Sequence, residues 1–352
     1  MDVAEFIEAV QQLEEEKGIP KEVLFEAVEA ALVSAYKKNF CSLQNVRVEL
    51  NQQTGAIKVF SQKKVVEKVE NPMEEISLRD ALKLSPIYTI GDLAEVEVTP
   101  KNFGRIAAQA AKQVVIQKIR EAEREKIYEE FANRESEVVT GIIQSVEQGN
   151  VFVDIGKVEA VLPPSEQLEG DKYEPQTRLK VYVLEVKNSP KGPQVFASRT
   201  HPGLIKRLFE AEVPEIYDGV VEIKAVSREA GQRSKIAVWS DNPDVDPVGA
   251  CVGPRGMRVQ AIVNELRGEK IDIVRWSADP AEFVANALSP AKVTRVEVDE
   301  EQKIASIVVP DNQLSLAIGK EGQNARLAAK LTGWKIDIKS ESQSAEEAGD
   351  ES

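Results

Sequence analysis

Gly253-Pro254-Arg255-Gly256 and Gly319-Lys320-Glu321-Gly322 are the only two G-x-x-G spacings in the chain. A lone spacing of this kind carries little weight, but here the surroundings match as well. Upstream stand Ala250-Cys251-Val252 in one copy and Leu316-Ala317-Ile318 in the other. Downstream, past a helix-like run, come Gly268-Glu269-Lys270-Ile271-Asp272-Ile273 and Gly333-Trp334-Lys335-Ile336-Asp337-Ile338. The copies are offset by 66 residues at the loop and by 65 at the second string, so one residue has been lost between them. This is an internal duplication, and the fold is read outward from it.

Each copy has the same plan. In the first, 220–226 and 235–240 read as strands, and Asp246-Pro247 opens a short helix with an N-cap and a proline at the first helical position. Gly253 ends that helix. After Gly256, Val259, Ile262, Val263 and Leu266 follow the helical i, i+3, i+4, i+7 rule, and 270–276 supplies a third strand. In the second copy the strands are 294–298, 303–309 and 334–339, with a leading helix at 280–288, an opening at Asp311 or Asn312, and a helix at 324–331. The order β-β-α-α-β with G-x-x-G between the helices is the type II KH arrangement. Glycines there let backbone approach backbone, and the following helix offers free N–H groups and its positive end to phosphate. KH modules clamp about four nucleotides of single strand on such a loop. The expected RNA contacts are Gly253, Pro254, Arg255, Gly256 and Arg258 in the first copy, and Gly319, Lys320, Glu321, Gly322, Asn324 and Arg326 in the second. Either loop alone would serve equally as a structural corner. Two loops with matched flanks and one basic residue each favour the phosphate reading. Pro254 has no N–H to offer, and Glu321 brings an acid, so the two loops are not expected to bind equally.

The rest of the chain is read against this pair. Residues 2–40 read as two helices, with Phe6, Ile7, Val10 and Leu13 on one and Val23, Leu24, Ala27, Val28, Ala31, Leu32 and Ala35 on the other, broken at Gly18-Ile19-Pro20. Residues 46–50 and 56–60 form a hairpin around Gln53-Thr54-Gly55, and 93–98 resembles another strand. One long helix is expected from Phe103 to about Phe131, with Arg105, Lys112, Lys118, Arg120, Arg124 and Lys126 set against Glu121, Glu123 and Glu125. It is either a solvated face laced by charge pairs or a connector whose basic side docks on an acidic protein surface. Five short strands follow, at 138–146, 151–155, 159–162, 178–186 and 194–198, which suits a small closed barrel of the OB type. Such barrels bind single strands on aromatics flanked by bases, and Phe152, Tyr182, Lys180 and Arg199 are candidates. Phe152 serves the barrel core just as readily.

Composition narrows the function. Hydrophobic residues make up 42% of 352 residues, enough for real cores in two or three domains. The net charge of −14 is unusual for a nucleic-acid binder, so binding must come from local basic patches. His201 is the only histidine, which nearly removes triads and histidine-based metal sites. Cys41 and Cys251 share no metal or disulfide spacing, in keeping with a reducing cytoplasm. The first residues are acidic, unlike a signal peptide, and no apolar run approaches a membrane span. No Walker string occurs. No cofactor, no metal and no enzymatic activity are expected.

The order of parts resembles the NusA family of bacterial transcription termination and antitermination factors, over nearly the whole chain. The strings that carry the resemblance are Asp246-Pro247-Val248-Gly249-Ala250-Cys251-Val252-Gly253, Arg258-Val259-Gln260-Ala261, Gly322-Gln323-Asn324, the helix string Ala110-Ala111-Lys112-Gln113-Val114 and the barrel string Gly149-Asn150-Val151-Phe152-Val153-Asp154-Ile155-Gly156. The resemblance implies a multidomain α+β protein. Its parts are a polymerase-binding head with a connector helix (1–132), an S1-like OB barrel (133–200), KH modules at 201–277 and 278–341, and a disordered acidic tail (342–352). It implies a monomer that binds RNA polymerase and nascent single-stranded RNA, and possible contacts with other Nus-type factors, away from any membrane. The helix with Arg105 and Lys112 would dock on polymerase, and pausing, termination and antitermination would change. Some members carry further acidic repeats after the second KH module, and contacts of that kind are not expected of this sequence. An RNA-binding adaptor in ribosome assembly or RNA decay is the alternative, and residues 1–130 distinguish the two.

Overall fold

The computed structural model describes residues 14, 20–40, 45–51, 54–101, 103–189 and 192–350. These fall into two compact units, one up to Lys126 and one from Ile127 onward. The expected helix face of Phe6, Ile7, Val10 and Leu13, the Gly18 break and Cys41 lie outside the described residues. No helix among the described residues is long and apolar enough to cross a membrane.

In the first unit, helix α1 (Lys21–Phe40) buries Leu24, Phe25, Val28, Leu32 and Tyr36, a 3.6-residue stripe. It packs with strands β1 (Val46–Leu50) and β2 (Ile57–Val66), paired antiparallel with Val46 opposite Ser61. The second strand runs farther than expected because it gains partners along its length: β3 (Glu75–Ser77) in parallel and β4 (Leu93–Glu97) antiparallel. A short helix α2 (Leu78–Leu84), absent from the sequence expectation, is capped by Ser77 Oγ, which accepts from Asp80 N–H. Helix α3 (Phe103–Ala132) closes this core with Phe103, Ala107, Ala111 and Val115. Met73, Leu82, Leu84, Ile87, Ile90 and Leu93 remain exposed in this unit.

The second unit begins with the last turns of α3, where Phe131 joins the core of a closed barrel. The barrel order is β5-β6-β7-β9-β8, from β5 (Val138–Glu147), β6 (Asn150–Asp154), β7 (Glu159–Leu162), β8 (Arg178–Ser189) and β9 (Gly192–Ser198). Alternating residues such as Val151, Val153, Val181, Val183 and Val195 fill it. Helix α4 (Pro202–Glu212) follows, capped by His201, whose Nδ1 accepts from Gly203 N–H at 3.0 Å while its ring stacks on Tyr182 at 4.6 Å. The only histidine thus serves a helix cap. A short helix α5 (Pro214–Tyr217) leads into the duplicated part.

The first duplicated module has strands β10 (Glu222–Glu229), β11 (Arg233–Trp239) and β12 (Lys270–Arg275), in that order, with β11 antiparallel to β10 and parallel to β12. Helices α6 (Pro247–Val252) and α7 (Met257–Glu265) lie between the second and third strands. The second module repeats this with β13 (Arg295–Asp299), β14 (Ile304–Val309) and β15 (Lys335–Ser340), helices α9 (Leu314–Ile318) and α10 (Gln323–Thr332), and a leading helix α8 (Pro280–Ala287).

The first sheet is covered on both faces. Ile236 and Val238 face its own helices, while Ala237 and Val274 join Phe283, Val284 and Ala328 in the core of the second module. Burial on both sides is why Ser234 to Val238 are all buried. Lys235 is tolerated there because its ammonium donates to Asp272 at 2.9 Å and to the Ser289 carbonyl at 2.6 Å. Burial lowers its pKa, and Asp272 opposes that. The second sheet differs: Arg295, Glu297, Asp299, Ser306, Lys335 and Asp337 stand exposed. Ser306 occupies the place of Lys235, each opposite the aspartate of its Lys-Ile-Asp-Ile string.

Two charge clusters are buried, one between the barrel and the first module and one within that module. Arg199, proposed from sequence as an RNA contact, is fully buried instead. It donates to Asp171 at 3.1 Å, to the Lys180 carbonyl at 2.8 Å, and to the Glu265 carboxylate and carbonyl at 3.1 and 3.0 Å. It therefore joins barrel to first module. Glu269, also fully buried, accepts from Arg228 at 2.9 and 2.8 Å, from Ser234 Oγ at 2.6 Å and from Gly231 N–H at 2.8 Å.

The expected disordered tail is corrected: Glu341–Asp350 forms helix α11. Ser340 and Gln343 make a reciprocal capping box. Ser340 Oγ accepts from Gln343 N–H at 3.3 Å, and Gln343 Oε1 accepts from Ser340 N–H at 3.0 Å.

Replacing Arg199 by Met leaves Asp171 buried without its main partner and is expected to cost about 3–5 kcal/mol of stability. Arg207→Ala, at an ion pair whose arginine is 43% exposed, should cost no more than about 1 kcal/mol. Chemical denaturation of the two variants checks the ordering, and equal midpoints would show that Arg199 is not a junction residue.

Candidate nucleic-acid interface

The loops are built alike. Asp246 caps α6 by accepting from Gly249 N–H at 3.1 Å, and Pro247 follows at the first helical position. The helix ends at Gly253, with φ 74° and ψ 173°. Gly319 ends α9 with φ 77° and ψ 173°. This region of backbone space is essentially glycine's alone. Arg255 (φ 53°, ψ 25°) and Glu321 (φ 54°, ψ 27°) then turn left-handed, as do Gly256 (φ 75°, ψ 14°) and Gly322 (φ 74°, ψ 13°). Space enforces the first glycine as well. A Cβ on Gly253 would stand 2.6 Å from Arg258 Cγ, and one on Gly319 would stand 2.8 Å from Asn324 N.

Matching the loops by backbone changes the pairing of their cations. Arg255 and Lys320 are chemically alike, but Arg255 shares its left-handed slot with Glu321, and Lys320 stands where the first loop has Pro254. Both cations are exposed, and neither has a hydrogen-bond or ion-pair partner among the described residues. Each loop therefore presents one free cation, at different points along the turn.

The flanking residues divide. Arg258 and Asn324 occupy equivalent places and do equivalent structural work, so an RNA contact by either would draw on a side chain already engaged. Arg258 Nη1 donates to the Ala250 carbonyl at 2.6 Å and to Glu215 at 2.9 Å. Asn324 is buried, and its amide donates to the carbonyls of Leu288 and Ala317 at 3.0 Å each. Both side chains brace the end of the preceding helix. Arg326 is half exposed and already engaged, by Glu229 at 2.9 Å and the Glu321 carbonyl at 2.7 Å. Cys251, just before the first loop, is fully buried, and burial pushes its thiol up to about 12. It is a packing residue.

Several residues near the loops were not anticipated. Met257, Leu316 and Ile318 are exposed apolar side chains beside them. The matched strings place Leu316 and Ile318 only as flanks of the duplication. On the barrel, Phe152 faces outward between the inward Val151 and Val153, so it is not a core residue. It lies opposite Val161, which in turn lies opposite Phe196. These three make an apolar row across the outside of β6, β7 and β9. Lys187 Nζ sits 4.9 Å from the centre of the Phe196 ring. The run Val195-Phe196-Ala197 is apolar throughout, so the strand pairing, and not the sequence pattern, shows that Phe196 faces outward. Tyr182 is buried under His201, and Lys180 is partly exposed on β8.

In the first unit, Arg105 and Lys112 lie on one exposed stripe of α3. Gly104, Ala108 and Gln109 share a shallow groove with them. Neither cation has a partner among the described residues.

Glycine replacements separate steric from dihedral cost. Gly319→Ala drives a Cβ into backbone and is expected to destabilise more than Gly322→Ala. At Gly322 the nearest atom is an arginine tip 3.7 Å away and the cost is left-handed strain, about 1–2 kcal/mol. Thermal unfolding of the two variants should show this order, and the reverse order would refute the packing account.

Known proteins share this arrangement of parts. Four family models match in sequence: the NusA N-terminal domain over 5–125, the S1 RNA binding domain over 133–195, the NusA-like first KH domain over 199–276 and the NusA-like second KH domain over 280–346. The transcription termination/antitermination protein NusA of Bacillus subtilis is 62% identical over 343 residues, 97% of this chain and 92% of the relative. That of Halalkalibacterium halodurans is also 62% identical, over 97% of this chain and 90% of the relative. That of Thermus thermophilus is 46% identical, over 94% and 89%. Identity at this level along nearly the full length of both partners, with all four domains in the same order, places the chain in the NusA family of transcription termination/antitermination proteins.

Proposed function

We propose that this protein is a non-catalytic elongation factor that carries nascent single-stranded RNA on its barrel and KH loops and docks on RNA polymerase through its first unit. The observation that carries the RNA reading is the pair of loops with the same backbone and one unpartnered cation each, in modules packed into a single unit. Contacts come from Gly253, Pro254, Arg255 and Gly256 in one module and from Gly319, Lys320, Glu321 and Gly322 in the other, with Arg326 available once freed. Backbone N–H groups and a free cation suit phosphate, and the exposed Met257, Leu316 and Ile318 offer apolar surface to bases. The row of Phe152, Val161 and Phe196, with Lys187 beside it, adds a stacking face of the kind single-strand binders use.

The polymerase reading rests on the first unit. Arg105 and Lys112 give α3 a basic stripe, and the apolar side chains of Met73, Leu82, Leu84, Ile87, Ile90 and Leu93 are left exposed. Exposed apolar patches mark protein contacts. A purely RNA-binding adaptor has no use for either.

Two charge reversals test the division of labour. Arg255→Asp with Lys320→Asp should weaken RNA binding and lower its salt slope by roughly 0.7 for each phosphate no longer neutralised, while polymerase pull-down stays intact. Arg105→Glu with Lys112→Glu should do the opposite. RNA affinity unchanged in the loop variant would remove the loops from the interface. Polymerase binding unchanged in the helix variant would remove α3.

A further inference from the structure

Glu229 ends strand β10 of the first module and reaches the second. Its carboxylate accepts from Arg326 Nε at 2.9 Å and from Gln323 Nε2 at 2.8 Å, with Arg326 Nη2 at 3.4 Å. Gln323 also donates to Gln232 at 2.9 Å. The same guanidinium donates through Nη1 to the loop carbonyl of Glu321 at 2.7 Å. It lies 3.7 Å from where a Cβ on Gly322 would stand. One arginine therefore touches both the second loop and an acid of the neighbouring module. Its hydrogen bond holds the Glu229 carboxyl below the usual carboxylate range.

The duplication supplies an internal comparison. At the 66-residue offset, Met257 stands for Gln323 and Gln260 for Arg326. Met257 is 63% exposed, and Gln260 donates to Asn264 of its own helix. Among the described residues, no carboxylate bonds to the first module at these two places. Of the two equivalent positions, only the one in the second module carries a cation, and that cation is already occupied.

A carboxylate and a phosphodiester offer a guanidinium the same thing, paired anionic oxygens in a bidentate geometry. The Arg326–Glu229 pair is half open to water on the arginine side, and pairs of that kind hold weakly. A phosphate arriving at the second loop is thus a direct competitor for Arg326.

We propose that Glu229 holds the place of an RNA phosphate, keeping Arg326 and Gln323 occupied in the RNA-free protein and lowering the affinity of the second module for single-stranded RNA. The proposal rests on the RNA reading above. On binding, Arg326 leaves Glu229 for the strand, and the first loop, whose Arg255 has no such competitor, is the stronger of the two until that exchange occurs.

The test uses the full chain and a labelled single-stranded RNA of random sequence, titrated by anisotropy at several salt concentrations. Glu229→Gln should bind about two- to five-fold more tightly, the size of an exposed ion pair, with a salt slope steeper by about 0.7. Glu300→Gln makes the same charge change on the exposed turn of the second module, and should bind as the parent does. The reversed pair, Glu229→Arg with Arg326→Glu, keeps net charge and the bridge but moves the cation off the loop, and should bind more weakly than the parent. Unchanged or weaker binding by Glu229→Gln overturns the proposal, as does an equal gain from Glu300→Gln or an unweakened reversed pair. If the parent protein itself binds no RNA, it is the RNA reading that fails.

Discussion

Burial of the first KH sheet on both faces is the constraint on which the second unit depends. A sheet packed on one side can shift against solvent on the other. This one has its own helices on the face of Ile236 and Val238, and the second module on the face of Ala237 and Val274. Close packing makes such a layer resist sliding. Arg199 adds the barrel, with donors to Asp171 and to both the carboxylate and the carbonyl of Glu265. The distance between the two glycine loops is therefore set by side-chain packing and buried charge, not by a linker. If RNA binds as proposed above, the strand would meet loops whose spacing is already fixed, which would spare the ordering cost that flexible tandem modules meet on binding.

The loops show how a duplication keeps a conformation while its chemistry drifts. Glycines at the two ends set the turn, and the residue in the left-handed slot is free to be Arg255 in one copy and Glu321 in the other. Beneath the turn, Arg258 and Asn324 perform the same bracing with unrelated side chains. Each donates to carbonyls at the end of the preceding helix. What persists is a pattern of backbone satisfaction. Charge is what has been redistributed.

Much of this was legible in the sequence. The matched strings around the loops identified both modules, and short alternating runs identified the barrel, because periodicity and glycine placement report local backbone directly. The failures share a cause. Arg199 and Arg255 look alike in sequence. One is buried against Asp171 and Glu265, and the other is free, and only the fold decides which acid comes near. Phe152 was ambiguous because a strand's two faces are distinguishable only once the register is known. Strand β3 was missed because three residues give no period. Helix α11 is hidden for a different reason: the acidic composition behind its Ser340–Gln343 capping box is that of a disordered tail, and it masks the local cap signal.

The seating of the second module on the first joins two different surfaces of one repeated fold. Contacts of that kind have no symmetry to close them, and a unit carrying both surfaces would go on adding copies. The second sheet offers no third seat. Where the first sheet presents Ala225, the second presents Arg295, and Glu297, Asp299, Lys335 and Asp337 complete a charged face. The charged face thereby disfavours further stacking, and a duplication that could have seeded a fibre stops at a single pair.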